Sequence, residues 1–158
     1  MGQGACFRCG HSLDENDGLR VLTKTCASCF SLLLSTGGKN LSDYLESLDA
    51  PSALLDHEQT IVFANNRFRA MVIDHNSSGL RVGEALDCMY AATLGRCGDS
   101  VACLLCKIKR SVEHTLLTGE GLCRVPISYP HKTDSRRTFL IATERVGTKV
   151  LLLLESQP

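Results

Sequence analysis

The sequence predicts an α+β protein with two domains, a small cysteine-rich one at the N-terminus and a larger one behind it. Three observations support this class. Two CxxC pairs stand close together near the N-terminus. Helical and strand-like patterns then follow one another up to one long helical segment. Three β-rich segments close the chain, and the last two are joined by only two residues, which is typical of an antiparallel hairpin.

The composition is that of a folded chain with no net charge. Of the 158 residues 44% are apolar, and 17 basic residues balance 17 acidic ones. A neutral chain has little to attract nucleic acid or an anionic membrane, so we expect neither as a partner. No apolar run reaches the roughly 18 residues of a membrane helix, and no secretory pattern opens the chain, so we expect a cytoplasmic protein.

Cysteine is unusually frequent, with nine residues in the chain. Because the cytoplasm disfavours disulfides, so high a count indicates metal ligation or redox chemistry. One cysteine, Cys123, stands alone in a predicted strand, and we interpret it as a small core residue. The other eight fall into a first cysteine set, Cys6, Cys9, Cys26 and Cys29, and a second cysteine set, Cys88, Cys97, Cys103 and Cys106.

The first cysteine set consists of "CFRC" and "CASC" with 16 residues between them. Two thiolates spaced by two residues can hold one ion from a tight turn, and four complete a closed tetrahedral zinc site. An Asp17-Gly18 turn signal predicts a short hairpin between the pairs, and a helix closed by Gly37-Gly38 follows them. This order resembles a treble-clef zinc finger, which we place at residues 1–37. So short a segment needs a metal to fold.

Residues 41–156 form the predicted second domain. Helical spacing opens it at 41–50, and "NNRFRAMVI" reads as a short helix capped by Asn65. The longer helix at 102–121 has an apolar stripe of Leu104 or Leu105, Ile108, Val112 and Leu116. The predicted strands are "SALLD", "TIVFA" and the segments 122–129, 137–146 and 149–156.

Several segments of the second domain resemble those of a PAS domain. "APSALLDHEQTIVFANNRFRAMV" is similar to the opening of that family: strand, turn, a strand ending in "AN", then a helix with an aromatic residue, here Phe68. "VGEALDC" resembles its Gly-x-x-hydrophobic segment, and "TGEG" resembles the turn before its last three strands. The resemblance implies a five-stranded antiparallel sheet with helices on one face. It also implies a sensory or protein-interaction role, often as a homodimer, with or without a cofactor between sheet and helices.

The second cysteine set has the spacing C-x8-C-x5-C-x2-C. Cys103 and Cys106 fall at the start of the predicted long helix, on neighbouring positions of one face, with Asp99 or Ser100 as its cap. Backbone N–H groups at a helix N-terminus favour thiolate over thiol. Four convergent thiolates would hold zinc or an iron–sulfur cluster. Two alternatives stay open: a thiol–disulfide switch between Cys97 and one of the helical cysteines, and buried small residues without chemistry.

We therefore expect a sensory signal-transduction protein rather than an enzyme. The sequence contains no nucleophile elbow, phosphate-binding loop or HExxH motif. The second cysteine set would respond to redox state or oxygen, and the signal would pass by protein–protein contact to a kinase or regulator. One alternative is a structural adaptor in which both sites hold inert zinc. Another is a transcription regulator that uses the finger, although the finger is not strongly basic.

Overall fold

The computed structural model of the chain divides it into two compact units, Met1–Asp49 and Ala50–Pro158. In the part of the chain that the structure describes, no helix is both long enough and apolar enough to cross a membrane. The described residues are 4–6, 9–13, 25–36, 39–72, 77–133 and 135–157.

The first unit combines a very short hairpin with two helices. Strands β1 (Gly4–Ala5) and β2 (Ser12–Leu13) pair antiparallel. Helices α1 (Ala27–Thr36) and α2 (Lys39–Ser47) follow, and Phe30 meets Tyr44 edge to face with ring centroids 6.4 Å apart. The amphipathic pattern predicted from residue 41 thus forms α2, which belongs to this unit. The hairpin turn predicted at Asp17-Gly18 and the glycine pair 37–38 lie outside the described residues.

The second unit contains the predicted five-stranded antiparallel sheet, which confirms the fold class. The strand order is β4-β3-β7-β6-β5, so the first and last strands of the unit lie side by side in the sheet. Alternating or continuously apolar segments form these strands because their side chains project to the two faces in turn. The strands are β3 (Ser52–Leu55), β4 (Ile61–Ala64), β5 (Leu122–Pro130), β6 (Arg136–Val146) and β7 (Lys149–Ser156).

Short helices and one longer helix fill the connection between β4 and β5. Asn65 caps the first of them as predicted, since its side chain accepts a hydrogen bond of 2.9 Å from the N–H of Phe68. The helices are α3 (Asn66–Arg69), α4 (Val82–Ala85), α5 (Met89–Leu94), a 3₁₀ helix (Val101–Leu105) and α6 (Lys107–Thr118).

The start of the long helix differs from the prediction. Cys103 lies in the 3₁₀ helix, and the N–H of Cys106 bonds to the carbonyl of Cys103 to end it. Cys106 is then extended (φ −64°, ψ 118°) and becomes the N-cap of α6. The two cysteines therefore do not share one face of one helix. Leu104 and Leu105, predicted for the apolar stripe, are instead 64% and 76% exposed.

The main core lies between the sheet and the helices. Alternate residues of each strand face it, as expected for one face of a sheet. From α6, Val112 is fully buried, and the hydroxyl groups of Thr115 and Thr143 hydrogen-bond at 2.7 Å across the helix–sheet interface. The largest buried contributors are Phe68, Ile108 and Val112 from the helices and Leu55, Ile61, Ile127, Ile141, Leu152 and Leu154 from the sheet. This core positions the segment between α4 and α6, which carries the second cysteine set.

Candidate metal centres

The sulfur atoms of the first cysteine set converge. All four Sγ atoms lie within 4.8 Å of one another, and those of Cys9 and Cys26 are 3.7 Å apart. A tetrahedral ion bound at about 2.3 Å by four thiolates separates neighbouring sulfur atoms by about 3.8 Å. The predicted four-cysteine grouping is therefore present, at the spacing that one metal ion requires.

Local backbone structure brings these four sulfur atoms together. In the β1–β2 turn the N–H of Cys6 donates to the carbonyl of His11, and the N–H of Gly10 donates to the carbonyl of Cys6, both at 2.8 Å. Gly10 has φ 72°, a left-handed conformation that favours glycine. The second pair, Cys26 and Cys29, stands at the start of α1. Two tight turns thus present two thiols each to a common point.

The Cys29 thiol of the first set resists ionisation in the absence of a metal. Burial and hydrogen bonds with the neighbouring thiols raise the pKa of Cys29 to about 12. A divalent cation at the centre would reverse this effect, because a coordinating thiol is deprotonated by the ion.

The second cysteine set lines one cavity of about 460 Å³. Cys88 precedes α5, Cys97 follows it in a loop, and Cys103 and Cys106 flank the end of the 3₁₀ helix. These sulfur atoms are more widely spaced than those of the first set. Within the described residues, the first set is the one group of three or more cysteine, histidine or acidic side chains whose ligand atoms converge for a single ion.

Cationic side chains contribute to the wall of this cavity. Lys107, Lys109 and Arg136 line it together with the four cysteines, and Lys109 also lies 3.6 Å from the Glu113 carboxylate. Among the described residues that line the cavity, none is an aspartate or glutamate. Apolar side chains such as Val82, Ile108 and Ile127 complete the wall. The cavity is therefore suited to an anionic guest that is larger than one metal ion.

Cys97 and Cys106 are half-buried thiols with backbone N–H groups near their sulfur atoms. Burial raises the pKa of Cys97 to about 11, the N–H of Gly83 lowers it, and the other three thiols raise it further. Burial also raises the pKa of Cys106, and the nearby N–H groups of Lys109 and Ile108 lower it. The Cys106 side chain forms no cap hydrogen bond of standard geometry with either N–H group.

The segment that carries Cys88 is tied to the sheet. Cys88 forms an isolated antiparallel bridge with His131, just beyond β5. The Asp87 carboxylate lies 2.8 Å from the Lys132 ammonium, and the Tyr129 hydroxyl donates to the carbonyl of Leu86 at 3.2 Å. The second cysteine set is thereby connected to the edge strand of the sheet.

Some residues around the second set were not singled out from the sequence. Gly83, Arg81 and Glu84 all contact Cys97, yet their spacing from it gives no local signal. Cys123, interpreted as a buried strand residue, does lie in β5 but is exposed because it falls at an irregularity in the β5–β6 register.

The comparisons with known proteins concern the fold. No protein-family model and no curated protein matches the sequence. Among solved structures, VqmA bound to DPO is similar, with a TM-score of 0.52 at 10% identity over 73% of this chain and 55% of that chain. A Vibrio cholerae VqmA dimer in the absence of target DNA gives 0.52 at 10% identity over 77% and 53%.

A Rhodobacter sphaeroides LOV protein is also similar, with a TM-score of 0.49 at 18% identity over 72% of this chain and 63% of that one. The chain thus spans between half and two thirds of the length of these structures. The second unit has the α+β fold with a five-stranded antiparallel sheet that the sequence predicts. A four-cysteine group precedes it at the N-terminus.

Proposed function

We propose that the chain is a sensory signal-transduction protein of the PAS type, whose second cysteine set holds an iron–sulfur cluster and responds to redox state or oxygen. The observation that carries the proposal is the cavity. Among the described residues, four thiols and three cationic side chains line it and no carboxylate does, and the four sulfur atoms do not all lie within 4.8 Å of one another as those of the first set do.

The chemistry of these residues fits such a cluster. Four cysteine thiolates are its usual ligands, and a cluster spreads them over a wider space than a single ion does. Thiolate-bound clusters are anionic, so Lys107, Lys109 and Arg136 would balance their charge. The N–H groups near Cys97 and Cys106 would hydrogen-bond to ligand sulfur atoms, which tunes the reduction potential of a bound cluster.

The first cysteine set would hold a structural zinc ion. Its four sulfur atoms are spaced for one tetrahedral ion, and a closed four-cysteine site leaves no coordination position open for catalysis. In this proposal the chain has no enzymatic activity. It acts in the cytoplasm as a homodimer and passes its signal by contact with a protein partner, a kinase or a regulator.

Anaerobic purification tests this proposal. We expect visible absorbance together with iron, acid-labile sulfide and one zinc ion per chain. Cys106→Ala should lose the iron and keep the zinc, and Cys123→Ala, the control, should keep both. Two zinc ions without colour would favour the structural adaptor instead. One zinc ion, no iron and oxidant-dependent loss of thiols in the second set would favour a disulfide switch.

A further inference from the structure

We propose that the segment Arg81–Ala85, formed by α4 and the residue before it, is a positioning element for Cys97, and that Arg81, Gly83 and Glu84 are its positioning residues. The consequence for metal binding rests on the proposed function. The positioning itself concerns the cysteine loop and can be tested without any metal in the cavity.

The backbone of Cys97 is held from both sides by this segment. The guanidinium of Arg81 donates to the carbonyl of Cys97 at 2.7 Å, and the N–H of Cys97 donates to the Glu84 carboxylate at 3.2 Å. The other carboxylate oxygen of Glu84 accepts the N–H of Arg81 at 2.9 Å, so the two side chains form one connected clamp. Both polar backbone groups of the ligand residue therefore have fixed partners.

Gly83 lies against the sulfur atom of Cys97. A Cβ atom at position 83 would be 2.6 Å from the Cys97 Sγ and 3.2 Å from its Cβ, closer than real side chains approach. The N–H of Gly83 interacts with the same sulfur, and its carbonyl accepts the N–H of Cys88 at 2.8 Å. One glycine thus contacts two of the four cysteines, and any side chain there would displace Cys97.

The residue after Cys97 is also shaped by the clamp. Gly98 has φ 101°, which favours glycine, and a Cβ atom there would lie 2.9 Å from the Arg81 Nη1. The chain therefore turns away from Cys97 at the point where the guanidinium reaches its carbonyl. The loop, the glycine and the arginine side chain fit one another closely.

Cys97 needs such support more than the other three cysteines do. Cys88 and Cys106 are helix N-caps, and Cys103 lies within the 3₁₀ helix. Cys97 lies in the loop between α5 and the 3₁₀ helix, where no regular element fixes it. A ligand that must hold its geometry depends on residues that restrain it from behind. The clamp supplies that restraint.

The decisive test measures the alkylation rate of Cys97 in full-length protein with zinc in the first site and no iron, by mass spectrometry of the labelled peptides. We expect Glu84→Ala to raise the rate at Cys97 at least several-fold while the rate at Cys103 stays unchanged. Glu84→Gln keeps an acceptor for the Cys97 N–H and should recover most of the protection. Glu120→Ala, which removes an exposed carboxylate that does not line the cavity, is the matched control.

The second test uses reconstituted protein. Loss of a residue that orients a metal ligand weakens metal binding by about 10- to 100-fold. We therefore expect Gly83→Ala and Glu84→Ala to lose iron to a chelator correspondingly faster than Glu120→Ala. If Gly83→Ala does not fold, the rate of iron loss from Glu84→Ala alone tests the positioning role. The positioning role would be overturned if Cys97 in Glu84→Ala were alkylated at the wild-type rate. It would also be overturned if the alkylation rates of all four cysteines rose equally.

The two proposals fail in different ways. Wild-type protein without iron in the second site would refute the cluster, yet faster alkylation of Cys97 in Glu84→Ala would still establish the clamp. Conversely, wild-type protein that holds iron, together with an unchanged alkylation rate in the variant, would support the sensor and refute the clamp.

Discussion

The first and second cysteine sets differ in how the chain brings their sulfur atoms together. The first set converges through a hairpin turn and the start of α1, and its spacing is that of one ion. The second set surrounds a cavity in a unit that has its own sheet and buried core. From this difference we expect the first unit to depend on a bound metal ion to fold, and the second unit to fold without one and offer a preformed site.

The largest expected effect follows from removing the first metal. Cys9→Ala should unfold the first unit, since structural zinc supplies about 10 kcal/mol or more in small four-ligand domains. Hydrogen exchange should show lost protection at residues 9–13 and 25–36 and retained protection in β6 and β7. Cys123→Ala removes an exposed cysteine and serves as control. Full protection of the first unit in metal-free Cys9→Ala would refute the dependence.

A core substitution should act on the second unit instead. Phe68 is fully buried between sheet and helices, so Phe68→Ala should lower the free energy of unfolding by about 3–5 kcal/mol. Urea denaturation, monitored by hydrogen exchange in the second unit, would measure this loss of stability. Val101→Ala, at a side chain that is 81% exposed, should change stability by about 0.5 kcal/mol or less. Comparable losses in the two variants would contradict the assignment of the core.

Much of this fold could be predicted because its patterns are local. The individual strands, the Asn65 cap and the final hairpin each follow from a few neighbouring residues. The division of the long helix at Cys106 could not be predicted in this way. "VACLLC" is apolar enough to continue a helix, and the break consists of the extended backbone of Cys106, a residue whose type gives no signal for it.

The two candidate sites show the same limit. The first set was predictable since two CxxC pairs already fix two ligands each. The surroundings of the second set depend on distant contacts: Arg136 reaches the cavity from β6, and Gly83 reaches Cys97 from α4. No spacing in the sequence encodes these approaches. Only the packed sheet and helices bring them together.

Replacing a cysteine of the second set should impair metal binding rather than folding. Cys103→Ala should abolish iron binding, yet lower the stability of the iron-free protein by only about 1 kcal/mol, the typical effect of one modest core change. Thermal unfolding of iron-free wild type and variant would measure this, with metal analysis alongside. Unfolding of the second unit, as severe as that expected for Cys9→Ala in the first, would show that both sites are structural.

The smallest expected effect concerns the charge around the cavity. Lys107 lines the cavity and donates to the carbonyl of Pro126 at 3.2 Å, which holds its ammonium near the wall. Lys107→Gln removes a positive charge that favours the more negative, reduced state, so the reduction potential of the bound centre should become more negative. Arg110→Gln also removes a cation from α6, but Arg110 does not line the cavity, so its shift should be smaller. Because salt screens exposed charges, the difference between the two variants should shrink at high ionic strength. Equal shifts in both variants would mean that the centre senses only the net charge of the protein, and the cationic wall would then have no specific role.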